Sequence, residues 1–141
     1  MSKIFLDTNI FIYLVEDRGP RGKRATEIFN ELSLRGDEVL TSTLTLGELL
    51  VKPLEANDQG LANRYRTAFR GPTVRVLAFD EAAGEKYARI RLNRAIKAPD
   101  AIQLATAGNA GCDLFITNDE RLMNARVPGI HFITSMERAP I

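Results

Sequence analysis

The chain has 141 residues, the usual size of one domain and enough to bury a hydrophobic core. Hydrophobic residues make up 45% of it and charged residues 26%, which excludes a disordered chain. Nineteen basic and eighteen acidic side chains leave a formal charge of +1, so the overall charge indicates no partner. Nucleic-acid binding would have to depend on local patches. We expect residues 1–141 to form a single domain.

The single cysteine and the single histidine exclude several kinds of site. Cys112 alone forms no internal disulfide and no cysteine-based zinc site, which fits a reducing cytosol. His131 alone cannot supply a mechanism that uses paired histidines. The residues after Met1 and Ser2 already have the pattern of a core strand, so we expect no signal peptide. No apolar run approaches the ~20 residues of a membrane-spanning helix, so we expect a cytoplasmic protein.

Short apolar runs alternate with helical patterns along the chain, which is typical of βα units and a parallel sheet. We predict an α/β domain with a central parallel sheet of about five strands, flanked by helices on both sides. The predicted strands are Lys3–Leu6, Glu38–Thr41, Val74–Leu77, Asp113–Thr117 and His131–Ile133.

Capping and turn residues delimit the predicted helices. Asp80 is the predicted N-cap of its helix, and Pro53 is expected to end or kink the helix that contains it. The predicted helices are one directly after Asp7, Arg24–Leu34, one that begins at Ser42 or Thr43, one from Gln59 or Leu61 to Phe69, Glu81–Ile96, and one that begins near Pro99.

Four carboxylates lie where predicted strands end or helices begin. Asp7 follows the first strand directly, and Asp119 follows the fourth. Asp100 lies in the first turn of a helix, and Glu48 lies one or two turns into another. The functional crevice of a parallel α/β sheet lies beyond the carboxyl ends of its strands, so these side chains can meet at one edge. Clustered carboxylates repel one another until a cation neutralises them, which predicts a divalent-metal site and phosphodiester chemistry.

Each acid also has a structural explanation when it is taken alone. Asp100 can complement the dipole of its helix, and Asp119 can cap a helix over Glu120–Asn124. Glu48 and Asp7 are harder to explain in this way, because apolar residues flank both and leave Glu48 little solvated face. The four acids together favour the functional interpretation.

Four short motifs contain these acids. They are Phe5-Leu6-Asp7-Thr8-Asn9, Ser42-x-x-Thr45-x-x-Glu48-Leu49, Lys97-Ala98-Pro99-Asp100-Ala101 and Thr117-Asn118-Asp119. In order, spacing and total length the set resembles the PIN-domain ribonucleases, and it is most similar to the VapC toxins of bacterial and archaeal toxin–antitoxin pairs. The resemblance covers essentially the whole chain.

The resemblance implies that the four acids bind Mg²⁺ or Mn²⁺, with Asp7 and Asp100 as the most direct ligands. Thr8 and Thr117 match hydroxyl positions that would orient a carboxylate or a water molecule. A carboxylate-bound Mg²⁺ acidifies water for in-line attack on RNA and needs no histidine base, which suits this chain. The resemblance also implies a cognate VapB-like antitoxin and a homodimer.

Five basic residues occur within twelve positions that contain no acid: Lys86, Arg89, Arg91, Arg94 and Lys97. On a helix over Glu81–Ile96, the predicted core stripe of Ala88, Leu92, Ala95 and Ile96 leaves them on the remaining face. We predict that Arg91, Arg94 and Lys97 guide RNA phosphates toward the acids. A solvated helix face is the alternative.

Two further apolar surfaces are candidates for contacts with partners. On the same helix, Ala83, Tyr87 and Ile90 form a second apolar group. The helix after Asp7 is apolar almost all round from Phe11 to Val15. We expect these surfaces to serve a homodimer, and Phe11 or Leu14 to hold an antitoxin, with core packing as the alternative.

Two other functions remain open. One is a housekeeping RNA-processing nuclease of the same fold that has no antitoxin. The other is a non-enzymatic, receiver-like module that binds metal, although such modules usually have paired acids after the first strand and a lysine after a late one. Neither feature is evident, and Asn9 likewise replaces the second acid of an Asp-x-Asp phosphatase motif.

Overall fold

A five-stranded parallel sheet forms the centre of the protein in a computed structural model that describes residues 1–141. Its spatial order is β3-β2-β1-β4-β5, and every neighbouring pair is parallel. This confirms the predicted fold class, and each predicted strand is present to within one residue at either end. The strands are Lys3–Leu6 (β1), Glu38–Ser42 (β2), Val74–Leu77 (β3), Cys112–Ile116 (β4) and Ile130–Thr134 (β5).

Six α-helices and one short 3₁₀-helix connect the strands. They are Thr8–Glu16 (α1), Pro20–Arg35 (α2), Thr43–Glu55 (α3), Gln59–Phe69 (α4), Glu81–Ile90 (α5), Ala98–Ala110 (α6) and the 3₁₀-helix Glu120–Leu122. Ser42 caps α3 and Asp80 caps α5, as predicted. None of these helices combines the length and the apolar character that crossing a membrane requires.

The sheet is covered on both faces, because successive side chains of a strand point to opposite sides. In β1, Ile4 and Leu6 pack with the first four helices, whereas Phe5 packs on the side of α6. The pattern repeats in β4, where Phe115 stacks on Phe5 with ring centroids 5.0 Å apart. Burial on both faces explains why these strands read as continuous apolar runs.

The strand order determines which chain segments meet at the carboxyl end of the sheet. β1 lies between β2 and β4, and the register pairs Leu6 with Ile116. The next residues along the two strands, Asp7 and Thr117, are therefore neighbours although 110 positions separate them in sequence.

The predicted helix Glu81–Ile96 is wrong in its second half, because α5 ends at Ile90. The side chain of Asn93 accepts a hydrogen bond from the Ala95 N–H at 3.1 Å, which offers the backbone an alternative to the helix. Arg91 closes the resulting loop by donating from Nη1 to the Ile96 carbonyl at 3.0 Å.

The predicted core stripe of this helix is also wrong. Leu92 is 83% exposed, and only Ile96 of the stripe is buried, from its place in the loop. The second apolar group is the one that faces the core. Ala83 is buried, and Tyr87 packs against the core cluster that contains Phe5 and Phe115. Phe11 is fully buried too, so the prediction that it holds a partner is wrong.

Two helix boundaries differ from expectation. α2 begins at Pro20, not at Arg24, because proline has the backbone angle of a first helical position and needs no N–H partner there. α3 does not end at Pro53 but continues to Glu55, with Pro53 buried and its carbonyl accepting from the Asp58 N–H at 2.8 Å. That bond closes the turn into α4.

Candidate active site

Asp7 lies at the junction of β1 and α1. Its backbone N–H donates to the Ile116 carbonyl at 3.0 Å, which extends the pairing of β1 with β4. Its Oδ1 accepts from the Thr8 N–H at 2.8 Å and so caps α1. Its Oδ2 accepts from the Thr117 hydroxyl at 2.7 Å. The side chain is thus held on one oxygen by the first residue of α1 and on the other by the residue that follows β4.

The environment of Asp7 disfavours its charged form. Asp7 is only 7% exposed, and this burial raises the pKa of its carboxyl from 3.8 to about 6. The hydrogen bonds from Thr117 and Thr8 lower this pKa, whereas the negative charges of Asp100 and Glu48 raise it further. A nearby cation would favour the charged form of Asp7, because its positive charge offsets both the cost of burial and the repulsion from Asp100 and Glu48.

Thr117 connects Asp7 to Asp119. Its hydroxyl donates to Asp7 and accepts from the Asp119 N–H at 3.1 Å, and the residue is fully buried. Asp119 in turn caps the 3₁₀-helix by accepting from the Arg121 N–H at 3.0 Å. The capping role expected for Asp119 is therefore present, over the shorter segment Glu120–Leu122.

Glu48 is positioned by a polar network between α1, α3 and α6. The Thr8 hydroxyl donates to Glu48 Oε1 at 2.6 Å. The amide of Gln103 donates to Thr8 Oγ1 at 3.2 Å and to Thr45 Oγ1 at 2.8 Å. Ser42 donates to the carbonyl oxygen of the same amide. Gln103 is buried, so one amide fixes the starts of two helices around Glu48.

The expectation that Glu48 lacks a solvated face is wrong. Glu48 is exposed, while its neighbour Leu49 is 3% exposed and packs in the core. Consecutive residues of an α-helix point about 100° apart, so an apolar neighbour does not bury an acid.

Asp100 and Asp119 share a cation from the chain itself. Arg121 donates from Nε to Asp119 Oδ1 at 3.0 Å and from Nη2 to Oδ2 at 2.6 Å, and Nη2 lies 3.7 Å from Asp100 Oδ2. The Arg121 hydrogen bonds lower the pKa of Asp119. Burial raises the pKa of Asp100, and so does the charge of Asp119, although Arg121 and Lys97 oppose this rise.

The donor chemistry of this edge fits a hard divalent cation, because carboxylate oxygens are the ligands that Mg²⁺ prefers. No group of three or more His, Cys, Asp or Glu side chains is yet arranged to hold a metal ion. Glu48 is hydrogen-bonded to Thr8, and Asp119 is paired with Arg121. These two carboxylates would have to rotate in order to join Asp7 and Asp100.

The three predicted RNA-binding residues lie on the loop between α5 and α6, not on a helix face. Arg94 and Lys97 are exposed, and the charge of Lys97 reaches both Asp100 and Asp119. Arg91 instead donates into its own loop. The segment therefore adjoins the acids through Lys97.

Sequence reasoning missed Gln103 and Arg121. A polar residue inside the apolar stretch Ala101–Ala107, one turn after Asp100, was a signal for Gln103. Arg121 follows Asp119 by two positions, but nothing in the sequence shows where its side chain points.

An apolar groove of about 670 Å³ lies beside Glu48, between α1, α3 and α4. Its lining includes Ile12, which is 39% exposed, and Val51, which is 52% exposed. Uncovered apolar side chains thus adjoin Glu48, the one acid of the four that lines this groove.

Comparisons with known proteins agree with this fold. Among solved structures, VapBC2 from Rickettsia felis, bound to a DNA fragment from its promoter, has a TM-score of 0.74 and 16% identity, covering 94% of this chain and 98% of that one. A toxin–antitoxin complex from Klebsiella pneumoniae has a TM-score of 0.66 and 26% identity, covering 90% and 94%. VapC20 from Mycobacterium tuberculosis, a sarcin–ricin loop cleaving toxin, has a TM-score of 0.65 and 18% identity, covering 79% and 86%.

A comparison with curated proteins finds no match. The sequence model of the PIN domain matches residues 4–128, which is most of the chain and includes all four acids. The chain therefore belongs to the PIN domain family and has the VapC-like form of its fold.

Proposed function

We propose that the protein is a Mg²⁺-dependent endoribonuclease that acts in the cytoplasm as a VapC-like toxin and is neutralised by a VapB-like antitoxin. The observation that carries the proposal is the set of four carboxylates at one sheet edge, with Asp7 buried among them. Membership of the PIN domain family and the likeness to toxins of toxin–antitoxin complexes support it.

In this proposal Asp7 and Asp100 hold the ion directly, and Glu48 and Asp119 complete the site. The ion would supply an acidified water molecule and screen the charge that develops on the scissile phosphate. Thr117 keeps the Asp7 carboxylate aimed into the edge, and Thr8 does the same for Glu48.

Proton transfer falls to the carboxyl groups. His131 lies beside Asp113, 3.5 Å away, near the starts of β4 and β5 and so at the opposite end of the strands from the acids. Burial raises the pKa of Asp7 to about 6 without metal, but a bound cation would hold Asp7 as a carboxylate ligand.

We expect purified protein to cleave RNA with Mg²⁺ or Mn²⁺, to lose this activity in EDTA and to regain it when metal is restored. Asp7→Asn and Asp100→Asn should each slow cleavage by more than about a hundredfold, the upper end of what loss of a group supporting a metal ligand costs. Gel assays with mapping of the RNA ends should find 5′-phosphates and 3′-hydroxyls.

Asp58→Asn is the matched control for this assay. Asp58 caps α4 away from the acids, and Asn caps a helix equally well, so cleavage should be unchanged. Wild-type rates in a folded Asp7→Asn protein, or cleavage in EDTA that leaves 2′,3′-cyclic phosphates, would refute the proposal.

RNA would reach the acids along the α5–α6 loop. The double change Arg94→Gln and Lys97→Gln should weaken binding of a short single-stranded RNA to metal-free protein. The slope of the logarithm of the binding constant against the logarithm of the salt concentration should become shallower by about 0.7 for each phosphate that the variant no longer neutralises. Fluorescence anisotropy at several salt concentrations measures both quantities. The control pair is Arg66→Gln in the last turn of α4 and Arg70→Gln directly after it. Equal binding and slope for this pair and for the loop variant would exclude the loop.

The groove beside Glu48 is the proposed binding site of the antitoxin, because it places apolar side chains next to one of the four acids. The product of the adjacent upstream reading frame should restore growth and co-purify with the protein. Ile12→Asp together with Val51→Asp should abolish co-purification, whereas Leu34→Asp should not, since Leu34 is 84% exposed at the end of α2. Light scattering on the same samples tests the proposed homodimer.

If no small neighbouring gene product rescues growth or co-purifies, the toxin assignment fails. A housekeeping RNA-processing nuclease would then account for the site.

Stability should depend on pH through Asp7. Between pH ~4 and ~6 the folded protein keeps the Asp7 proton and the unfolded chain loses it, so the free energy of unfolding falls as pH rises. Asp7→Asn has no proton to lose at this position. Its free energy of unfolding, relative to that of wild type, should therefore rise by on the order of 3 kcal/mol across that range. Urea unfolding in EDTA from pH 4 to pH 7.5 measures the difference. A difference that does not vary with pH would contradict the raised pKa.

A further inference from the structure

The Arg121 guanidinium contacts carboxylate oxygens that a bound cation would need as ligands. It contacts both oxygens of Asp119, at 3.0 and 2.6 Å, and approaches Asp100 Oδ2 at 3.7 Å. The chain's own positive charge thus already offsets part of the negative charge of two of the four acids.

The backbone beneath this guanidinium is anchored independently of it. Leu122 is 1% exposed in the core, its N–H donates to the Asp119 carbonyl at 3.0 Å, and the Asp119 N–H donates to Thr117. The Arg121 side chain, by contrast, is 58% exposed. It can leave the acids by rotation, without any change in the 3₁₀-helix.

We propose that Arg121 is a built-in counter-ion, whose single positive charge offsets part of the negative charge of Asp100 and Asp119 in the metal-free protein and which must release Asp119 when a divalent cation binds. The inference rests on the proposed metal dependence. The ion and the guanidinium are both positively charged and repel each other at the same carboxylates, so the two compete. Exposed ion pairs are weak, so the competition tunes metal affinity without preventing binding.

The experiment is a titration of Mn²⁺ alone into wild-type protein, Arg121→Gln and the control Arg126→Gln, by isothermal calorimetry. Arg126 is an exposed arginine five positions further on, so its replacement changes net charge equally but leaves the acid pair untouched. Arg121→Gln should bind Mn²⁺ about two- to fivefold more tightly, the range that corresponds to an exposed ion pair. Arg126→Gln should match wild type.

A second measurement uses wild-type protein and does not depend on a variant that folds. On addition of Mg²⁺, the NMR signal of the Arg121 Nε–H should move as its bond to Asp119 breaks, while the Arg24 Nε–H, bonded to the Met136 carbonyl, should not.

Unchanged or weaker Mn²⁺ binding by Arg121→Gln, or an unmoved Arg121 signal at saturating Mg²⁺, overturns the inference. If wild type binds Mn²⁺ and the variant binds it equally, only this inference fails. If neither binds the ion, the proposed metal dependence fails with it.

Discussion

The site depends on a carboxyl group held below the protein surface where β1 and β4 end side by side. The ladder between these strands places Asp7 within reach of Thr117, and the start of α1 supplies a second donor from Thr8. Two hydrogen bonds do not compensate for burial, because the pKa of Asp7 still rises to about 6. Asp100 and Glu48 then add negative charge to the same place. An arrangement that is costly for the metal-free protein is, for the same reason, attractive to a cation.

The sequence contained enough information to predict the sheet and the edge at which the four acids lie. Strands buried on both faces appear as short apolar runs between polar residues, so β1 was predicted with its observed boundaries. The ends of parallel strands share one edge, so placing Asp7 and Asp119 after strands was enough to predict that they lie close together. The pairing of Asp7 with Thr117 and of Thr117 with Asp119 follows from that placement.

The remaining features depend on partners that are distant in sequence or on local competition for hydrogen bonds. α5 ends early because Asn93 bonds to the backbone and Ile96 turns into the core, which helical periodicity cannot reveal. Gln103 bonds to Ser42 and Thr8, which lie 61 and 95 positions away. Arg121 is a charged residue beside an acid in sequence, and only the folded backbone directs it toward two carboxylates.

The long-range character of the site also governs when it can exist during synthesis of the chain. Asp7 is made early, but Thr117 follows 110 positions later, and Asp119 later still. Contacts between such distant positions form only after a large loop has closed, and a chain emerging from the ribosome folds from its amino-terminal side. A nascent chain therefore carries its first acid without its partners until β4 has emerged and paired with β1. The candidate site is therefore incomplete next to the ribosome that makes it, and becomes complete only when most of the protein has been translated.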